Sequence, residues 1–202
     1  MASGFIAENT GTRLVEIARA HVRKFGRART TVVGVAAEAG MTHANVYRYF
    51  PSKTALLDEV VAMSLRPLEA QLREAAEGAD PAYDKLERML VAVHCDYRMK
   101  LDDDPELFDL VIDALVRDAS SARKHRSRVQ SEIQRVYEEG VASGAFAMTD
   151  RRRAMSLIFD AAHRFIHPVA LRLDREAARG ALAARFETIV AVVLRTLRTG
   201  RA

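Results

Sequence analysis

Residues 32–51, VVGVAAEAGMTHANVYRYFP, contain the pattern that decides the fold of the N-terminal part of the chain. Two short helices that cross steeply need a small residue in the first helix, a glycine at the turn and an apolar residue in the second helix. Ala36, Gly40 and Val46 supply these residue types at spacings of four and six. Thr42 follows the turn and is a preferred N-cap residue, so the pattern predicts a helix-turn-helix.

The second helix of this pattern carries side chains suited to binding a nucleic acid. Side chains of this kind donate hydrogen bonds to base edges and phosphates. They are His43, Asn45, Arg48 and Tyr49. Two ordinary short helices in an all-helical core would also fit the small-residue pattern. The charge favours DNA binding, because residues 1–53 carry eight cations and three anions whereas the remainder is nearly neutral.

The overall composition is that of an ordinary globular protein. The chain has 202 residues, of which 49% are hydrophobic and 29% are charged. Its single cysteine excludes a disulfide framework, and it lacks the run of about 18 apolar residues that a membrane span requires. The first residues, MASGFIAENTGTRL, do not have the pattern of a signal peptide. We therefore expect a cytoplasmic protein that does not act at a membrane.

Apolar residues recur at three- and four-residue steps along almost the whole chain, which predicts an all-α fold of about nine helices. We expect the first helix to run from Thr12 to Phe25 and to end at Gly26. A long fourth helix is predicted over residues 53–77, with Pro67 kinking or splitting it. Asp174 is predicted to cap the last helix.

The segments TTVVGVAAEAGM and THANVYRYFPSKTALLDEVV, which together span residues 30–61, resemble the Tet repressor (TetR/AcrR) family of bacterial transcription factors. The hallmark of that family is Tyr-x-x-Phe-x-x-Lys followed by an apolar helix. Tyr47, Phe50 and Lys53 match it here. The resemblance covers about residues 10–60, and the remaining helices agree with it in number and length.

The resemblance implies two domains, a DNA partner and no enzymatic activity. Residues 1–52 would form a helix-turn-helix DNA-binding domain, and residues 53–202 a larger domain for effector binding and dimerisation. The implied function is a homodimeric regulator, most often a repressor, that binds a palindromic operator in double-stranded DNA. An unknown small-molecule effector would release it, and no cofactor is implied.

The resemblance also assigns a set of DNA-binding residues. His43, Ala44 and Asn45 occupy base-reading positions; Thr42, Tyr47 and Lys53 would contact phosphate; Thr31 would cap the second helix beside the DNA backbone. Physical chemistry refines these roles, because Asn45 can pair with adenine, Arg48 with guanine and Ala44 with a thymine methyl group. A plain phosphate contact by Arg48 and a structural role for Tyr49 both remain open.

The second domain is harder to interpret from sequence. Six residues lie on helices that could line an effector pocket, although each also fits an ordinary core or surface position. They are His94, Tyr97, Asp113, Tyr137, Phe159 and His163. The last helix is apolar on more than one face, which predicts a dimer seam over residues 152–172 and 178–198, or else a central helix in a monomer.

Two alternatives concern what the regulator responds to. His163 and His167 have the i, i+4 spacing of metal ligands, but no Glu-x-x-His pattern and no second cysteine accompany them, so we predict no metal site. A metal-responsive or a protein-responsive regulator of the same fold remains the alternative. The basic run Arg123, Lys124, Arg126 and Arg128 is expected to form an ion-paired or solvated face.

Overall fold

The structure is a computed structural model that describes the backbone of residues 2–201 and the side chains of residues 10–201. Met1, the first residue of the predicted DNA-binding domain, and Ala202, the last residue of the predicted second domain, lie outside the described residues. Over residues 2–201 the chain forms ten α-helices and no strand, which confirms the predicted all-α fold. In chain order the helices are α1 Ala2–Arg29, α2 Val32–Glu38, α3 His43–Tyr49, α4 Lys53–Glu77, α5 Ala82–Asp103, α6 Pro105–Val116, α7 Ser120–Ala142, α8 Arg151–Ile166, α9 Pro168–Leu173 and α10 Arg179–Thr199. None of them combines the length and hydropathy needed to cross a membrane.

Side chains at the predicted capping positions begin several of these helices. The hydroxyl oxygens of Thr31 and Thr42 each accept a hydrogen bond from the backbone N–H three residues later, at 3.0 and 3.3 Å. The carboxylates of Asp104 and Asp150 do the same for α6 and α8. A cap satisfies one of the N–H groups that the first helical turn leaves without a partner, so the local sequence alone marks these boundaries.

The first helix extends beyond both predicted ends. Its predicted range was Thr12 to Phe25, whereas α1 covers Ala2–Arg29. Gly26, the predicted end, has φ 74° and ψ 167°, so the backbone kinks there before a short continuation. Glycine adopts this conformation readily because it has no Cβ. A methyl group at Gly26 would also come within 2.7 Å of a carboxylate oxygen of Glu106.

The fourth helix has the predicted bounds but is not divided. It runs from Lys53 to Glu77 as one helix, with Pro67 inside it. Proline removes one hydrogen bond of the helical ladder, which is the reason for expecting a kink or a break. Pro67 lies at an exposed position, where a gentle bend with the missing hydrogen bond on the solvent side is tolerated.

The prediction that Asp174 caps the last helix is wrong. Pro168 ends α8 and begins a separate short helix, α9, because proline fits the first turn of a helix but not its interior. Asp174 follows the C-terminal end of α9, and its carboxylate accepts a hydrogen bond from Arg164 at 2.8 Å. The last helix begins at Arg179, five residues later, and has no side-chain cap.

The helices form two compact units. The first comprises Met1–Arg66 and Asp103–His125, and the second comprises Pro67–Asp102 and Arg126–Ala202. The chain therefore passes from the first unit into the second within α4. The boundary predicted between residues 52 and 53 does not coincide with this division. That boundary separates two proposed functions, DNA binding and effector binding, and it stays a prediction.

Each unit has its own apolar core. In the first unit, α1 packs against α2 and α6, and α2 packs against α3. Residues that this core buries completely or almost completely include Leu14, Val22, Val35, Val46, Val60 and Phe108. In the second unit, α8 packs against α9 and α10. Its buried core residues include Leu86, Leu90, Ile158, Phe186, Val193 and Leu197.

Candidate nucleic-acid interface

The predicted helix-turn-helix is formed by α2 and α3 within the first unit. Gly40, at the turn, has φ 70°, a backbone conformation that favours glycine. The N–H of Met41 donates a hydrogen bond to the carbonyl oxygen of Ala36 at 3.0 Å and closes the turn. Ala36 and Val46 are 2% and 0% exposed, so the small and the apolar residue fill the helix crossing as predicted.

Helix α3 has a single inward side and an otherwise open surface. Val46 is its one buried residue, and it holds α3 against the core. The other six side chains are exposed: His43, Ala44, Asn45, Tyr47, Arg48 and Tyr49. Every residue that the sequence assigned to base or phosphate contacts on this helix is therefore free to meet a ligand. A helix of this width fits the major groove of B-form DNA.

The two threonines assigned to the interface serve as N-caps. Their hydroxyl oxygens accept backbone N–H groups, as described above, and both side chains are exposed. A threonine hydroxyl can accept one hydrogen bond and donate another at the same time. Thr31 and Thr42 therefore keep an O–H that can reach a phosphate oxygen.

Lys53 lies at the first position of α4 and points toward the end of α1. Its ammonium group donates a hydrogen bond to the carbonyl oxygen of Ala28 at 3.2 Å. An ammonium group has three N–H donors, so two remain for another ligand. No acidic side chain among the described residues pairs with it. The contact with Ala28 was not predicted. It positions the ammonium group of Lys53 beside the C-terminal end of α1.

Sequence reasoning missed Arg29 as a member of this surface. Arg29 is exposed at the end of α1, next to Thr31, and has no acidic partner among the described residues. Together with Lys53 it lines an open cleft of about 580 Å³ within the first unit. The excess of cations over residues 1–53 was the only signal for it, because a single arginine at a helix end carries no motif.

Ion pairs neutralise other cations of the basic N-terminal segment. Arg23 pairs with Asp104 at 2.8 Å, and Arg27 pairs with Asp113 at 2.7 Å. Both pairs join α1 to α6. Arg29, Arg48 and Lys53, which lie on or beside the helix-turn-helix, have no acidic partner among the described residues, and the same holds for Arg13, Arg19 and Lys24 on α1.

Asp113 had been assigned to the candidate effector pocket, but the structure places it in the first unit. Its carboxylate accepts from Arg27 and from Arg117, each at 2.7 Å. The other five candidates, His94, Tyr97, Tyr137, Phe159 and His163, belong to the second unit. The six residues predicted to line one effector pocket are therefore divided between the two compact units.

The polar atoms of two candidate pocket residues are engaged by the protein itself. Nδ1 of the buried His94 lies 2.7 Å from the carbonyl oxygen of Phe165, and its ring also packs against Phe186. The hydroxyl of Tyr137, which is 1% exposed, donates to the carbonyl oxygen of Met148 at 2.8 Å. Burial raises the pKa of Tyr97 well above its usual value, so this hydroxyl stays protonated.

The remaining candidates lie on α8 and are less enclosed. Phe159 is half-buried, and His163 is exposed. The rings of His163 and His167 stack with their centroids 4.6 Å apart. Burial lowers the pKa of His167, and the neighbouring His163 and Arg126 lower it further. No group of three or more His, Cys, Asp or Glu side chains with metal-binding geometry occurs among the described residues.

The basic run on α7 is partly ion-paired, as expected from the sequence. Arg123 pairs with Asp118 at 3.3 Å, and Arg128 pairs with the buried Glu69 at 2.5 Å. Lys124 is exposed and has no acidic partner among the described residues. The run therefore lacks the concentration of unpaired cations that the surface around α3 has.

Two family profiles match separate parts of the chain. The profile described as bacterial regulatory proteins, tetR family, matches residues 14–60. The profile described as the tetracyclin repressor-like C-terminal domain matches residues 82–190, more than half of the chain. No curated protein matches the chain in sequence.

Solved structures with the same architecture come from several bacteria. A transcriptional regulator of the TetR/AcrR family from Thermobifida fusca is 23% identical, with a TM-score of 0.68 and coverage of 92% of this chain and 97% of that one. SmeT, the repressor of the Stenotrophomonas maltophilia multidrug efflux pump SmeDEF, is 16% identical, with a TM-score of 0.66 and coverage of 92% and 89%. FadR from Bacillus subtilis, solved in complex with stearoyl-CoA, is 17% identical, with a TM-score of 0.63 and coverage of 95% and 99%.

The similarity to these solved structures shows a shared fold, and the two profile matches show membership of the family. The first profile covers the helix-turn-helix, the exposed α3 and Lys53. The chain therefore belongs to the TetR family of bacterial regulatory proteins, DNA-binding transcription factors that are not enzymes.

Proposed function

We propose that the protein is a ligand-responsive repressor that binds a palindromic operator as a homodimer. The observation that carries this proposal is the surface of α3, whose side chains are all exposed except Val46. Each subunit would place α3 in a major groove. The two-fold symmetry of a dimer then requires an inverted repeat in the DNA, with half-sites set by the spacing of the two α3 helices.

Base reading is assigned to the exposed residues of α3. Asn45 would pair with adenine and Arg48 with guanine, since their side chains match the donor and acceptor patterns of those bases. Ala44 would contact a thymine methyl group. His43 lies edge-on to Tyr47 with ring centroids 6.4 Å apart, so the position of one ring depends on the other.

Phosphate contacts are assigned to the residues around α3. They are Thr31, Thr42, Tyr47 and Lys53, with Tyr49 as a further candidate and Arg29 added by the structure. Contacts of this kind set the register of the protein on the duplex and carry no sequence information themselves. The cations among them make the affinity depend on salt.

Dimerisation is assigned to the outer faces of α8 and α10. These helices pack together in the second unit, and the side of α10 that faces away from its core carries small or apolar residues beside the exposed Arg195. Ala184, Thr188, Ala191 and Val192 are exposed there, with Val192 at 40%. A second copy would cover this face. Thr188→Arg should give a monomer in light scattering, whereas Arg185→Ala, on the same helix, should remain dimeric.

Response to a small molecule is proposed by analogy with a relative of the same fold. FadR from Bacillus subtilis was solved with stearoyl-CoA bound. In this chain α4 contributes residues to both units. A ligand that moves the second-unit part of α4 could therefore act on Lys53 at the other end of the same helix. The ligand can shift the protein between two arrangements only by binding one of them more tightly.

A protein-responsive regulator is the second candidate. It is favoured by the engagement of His94 and Tyr137 with backbone carbonyl groups, which leaves their polar atoms satisfied without a ligand. A metal-responsive regulator has only the stacked rings of His163 and His167 in its favour. Purified protein released from its operator by a small molecule would exclude the protein-responsive candidate.

The first experiment selects genomic DNA fragments that the purified protein retains and then measures affinity by fluorescence anisotropy. Asn45→Ala should lose affinity for the selected operator by about tenfold to a hundredfold, the cost of one bidentate base contact. Gln130→Ala, which removes an exposed amide from α7, serves as the matched control. Equal binding of the operator and a scrambled duplex by wild-type protein would refute the proposal.

A further inference from the structure

His21 on α1 reaches across to the first helix of the helix-turn-helix. Its Nε2 lies 2.7 Å from Oε2 of Glu38, the last residue of α2. A carboxylate can only accept, so Nε2 carries the hydrogen. The side chain of His21 is 14% exposed and its ring meets Phe25 edge-on, which restricts where the imidazole can lie.

Gly34 makes room for this ring. Glycine is an unfavourable residue inside a helix, so its presence in α2 calls for a reason. A methyl group on Gly34 would approach Cε1 of His21 to 3.3 Å and the hydroxyl oxygen of Thr31 to 3.2 Å. A Cβ at residue 34 would therefore require the imidazole or the Thr31 hydroxyl to move slightly from its present position.

The orientation of α2 sets the orientation of α3. The Met41 N–H bond to Ala36 closes the turn between them, and Ala36 and Val46 are buried at their crossing. A contact that fixes α2 against α1 therefore also fixes the exposed face of α3. Glu38 lies at the end of α2 that leads directly into this turn.

We propose that His21 and Glu38 are positioning residues for sequence recognition, holding α3 in the orientation that its base contacts require. This inference rests on the proposed function of α3. Base contacts carry the sequence information and need a defined helix orientation, whereas phosphate contacts carry no sequence information themselves. When fewer molecules hold the competent orientation, affinity for the operator falls in proportion.

The test compares affinity for the selected operator with affinity for a scrambled duplex of equal length. His21→Leu removes the donor, and His21→Gln keeps one, because a glutamine amide can replace Nε2. Loss of the contact should weaken operator binding by about threefold to tenfold, as for one hydrogen bond to a charged group. Binding to the scrambled duplex should stay within about twofold, and His21→Gln should restore the operator affinity.

A second pair of variants tests the acceptor. Glu38→Ala removes the acceptor and should lower the ratio of operator to scrambled affinity, whereas Glu16→Ala removes a carboxylate from the exposed face of α1 and should leave the ratio unchanged. Should His21→Leu fail to fold by circular dichroism, the Glu38→Ala result decides.

The outcomes separate this inference from the proposed function. A wild-type protein that does not distinguish operator from scrambled DNA refutes the proposed function. A wild-type protein that does distinguish them, with folded His21→Leu or Glu38→Ala keeping the same ratio, refutes the positioning role alone. An equal loss of affinity for both duplexes would also overturn it, since that result indicates a general structural defect.

Discussion

The phosphate contact proposed for Lys53 can be measured from the salt dependence of DNA binding. Its ammonium group is held by one hydrogen bond to the carbonyl oxygen of Ala28 at 3.2 Å and has no acidic partner among the described residues. Its charge is therefore available to a DNA phosphate, unlike that of Arg27, which is paired with Asp113. The substitution Lys53→Gln removes this charge and keeps a side chain of similar length.

The expected magnitude follows from counterion release. Each phosphate that a cation neutralises contributes about 0.9 to the slope of log affinity against log salt concentration. A dimer has two copies of Lys53, so Lys53→Gln should reduce the slope by about 1.8. Between about 50 and 200 mM salt, the affinity of wild-type protein should then fall about twelvefold more than that of the variant.

The assay is a fluorescence anisotropy titration of the operator at four or more salt concentrations. Lys124→Gln is the matched control, because it removes the same charge from an exposed cation on α7 that also lacks an acidic partner. Its slope should match that of wild-type protein. An unchanged slope in Lys53→Gln, or an equal change in Lys124→Gln, would refute the assignment of a direct phosphate contact.

Three further predictions concern stability and are measured by urea unfolding. Gly26→Ala should destabilise the protein by about 1–2 kcal/mol, because the residue has φ 74° and its methyl group would displace the Glu106 carboxylate. Lys85→Met should cost about 1–3 kcal/mol, since it keeps the buried aliphatic stem but leaves the carbonyl of Ala76 without its 3.2 Å donor. Burial lowers the pKa of His167 in the folded state, so the unfolded state binds protons more readily and wild-type stability should fall as the pH drops from about 7.5 to 5.5. His167→Gln should show a smaller fall, and an identical pH profile would contradict this cause.

Local signals predicted the N-terminal elements well. The caps at Thr31 and Thr42, the turn at Gly40 and the buried crossing of Ala36 and Val46 are confirmed. Each depends on residues within about ten positions of one another, so the local sequence contains the information needed. The family match confirms the DNA-binding function that the same residues indicated.

Predictions that depended on distant neighbours were less successful. Asp174 has the side chain of an N-cap, but the backbone forms α9 before it and Arg164 occupies its carboxylate. Pro67 was expected to kink or divide α4, and the helix is not divided. The preference of one residue is a weak signal that its surroundings can override, so the preference alone does not decide the outcome.

The sequence by itself determined the helix-turn-helix, its capping residues and the identity of the side chains on α3, because helical periodicity and capping act between near neighbours. Only the tertiary structure decided which charges remain available to DNA. Asp113 neutralises Arg27 from another helix, while Arg29 and Lys53 remain without acidic partners among the described residues. Ion pairing depends on which helices approach one another, and that follows from burial of the whole core rather than from local spacing.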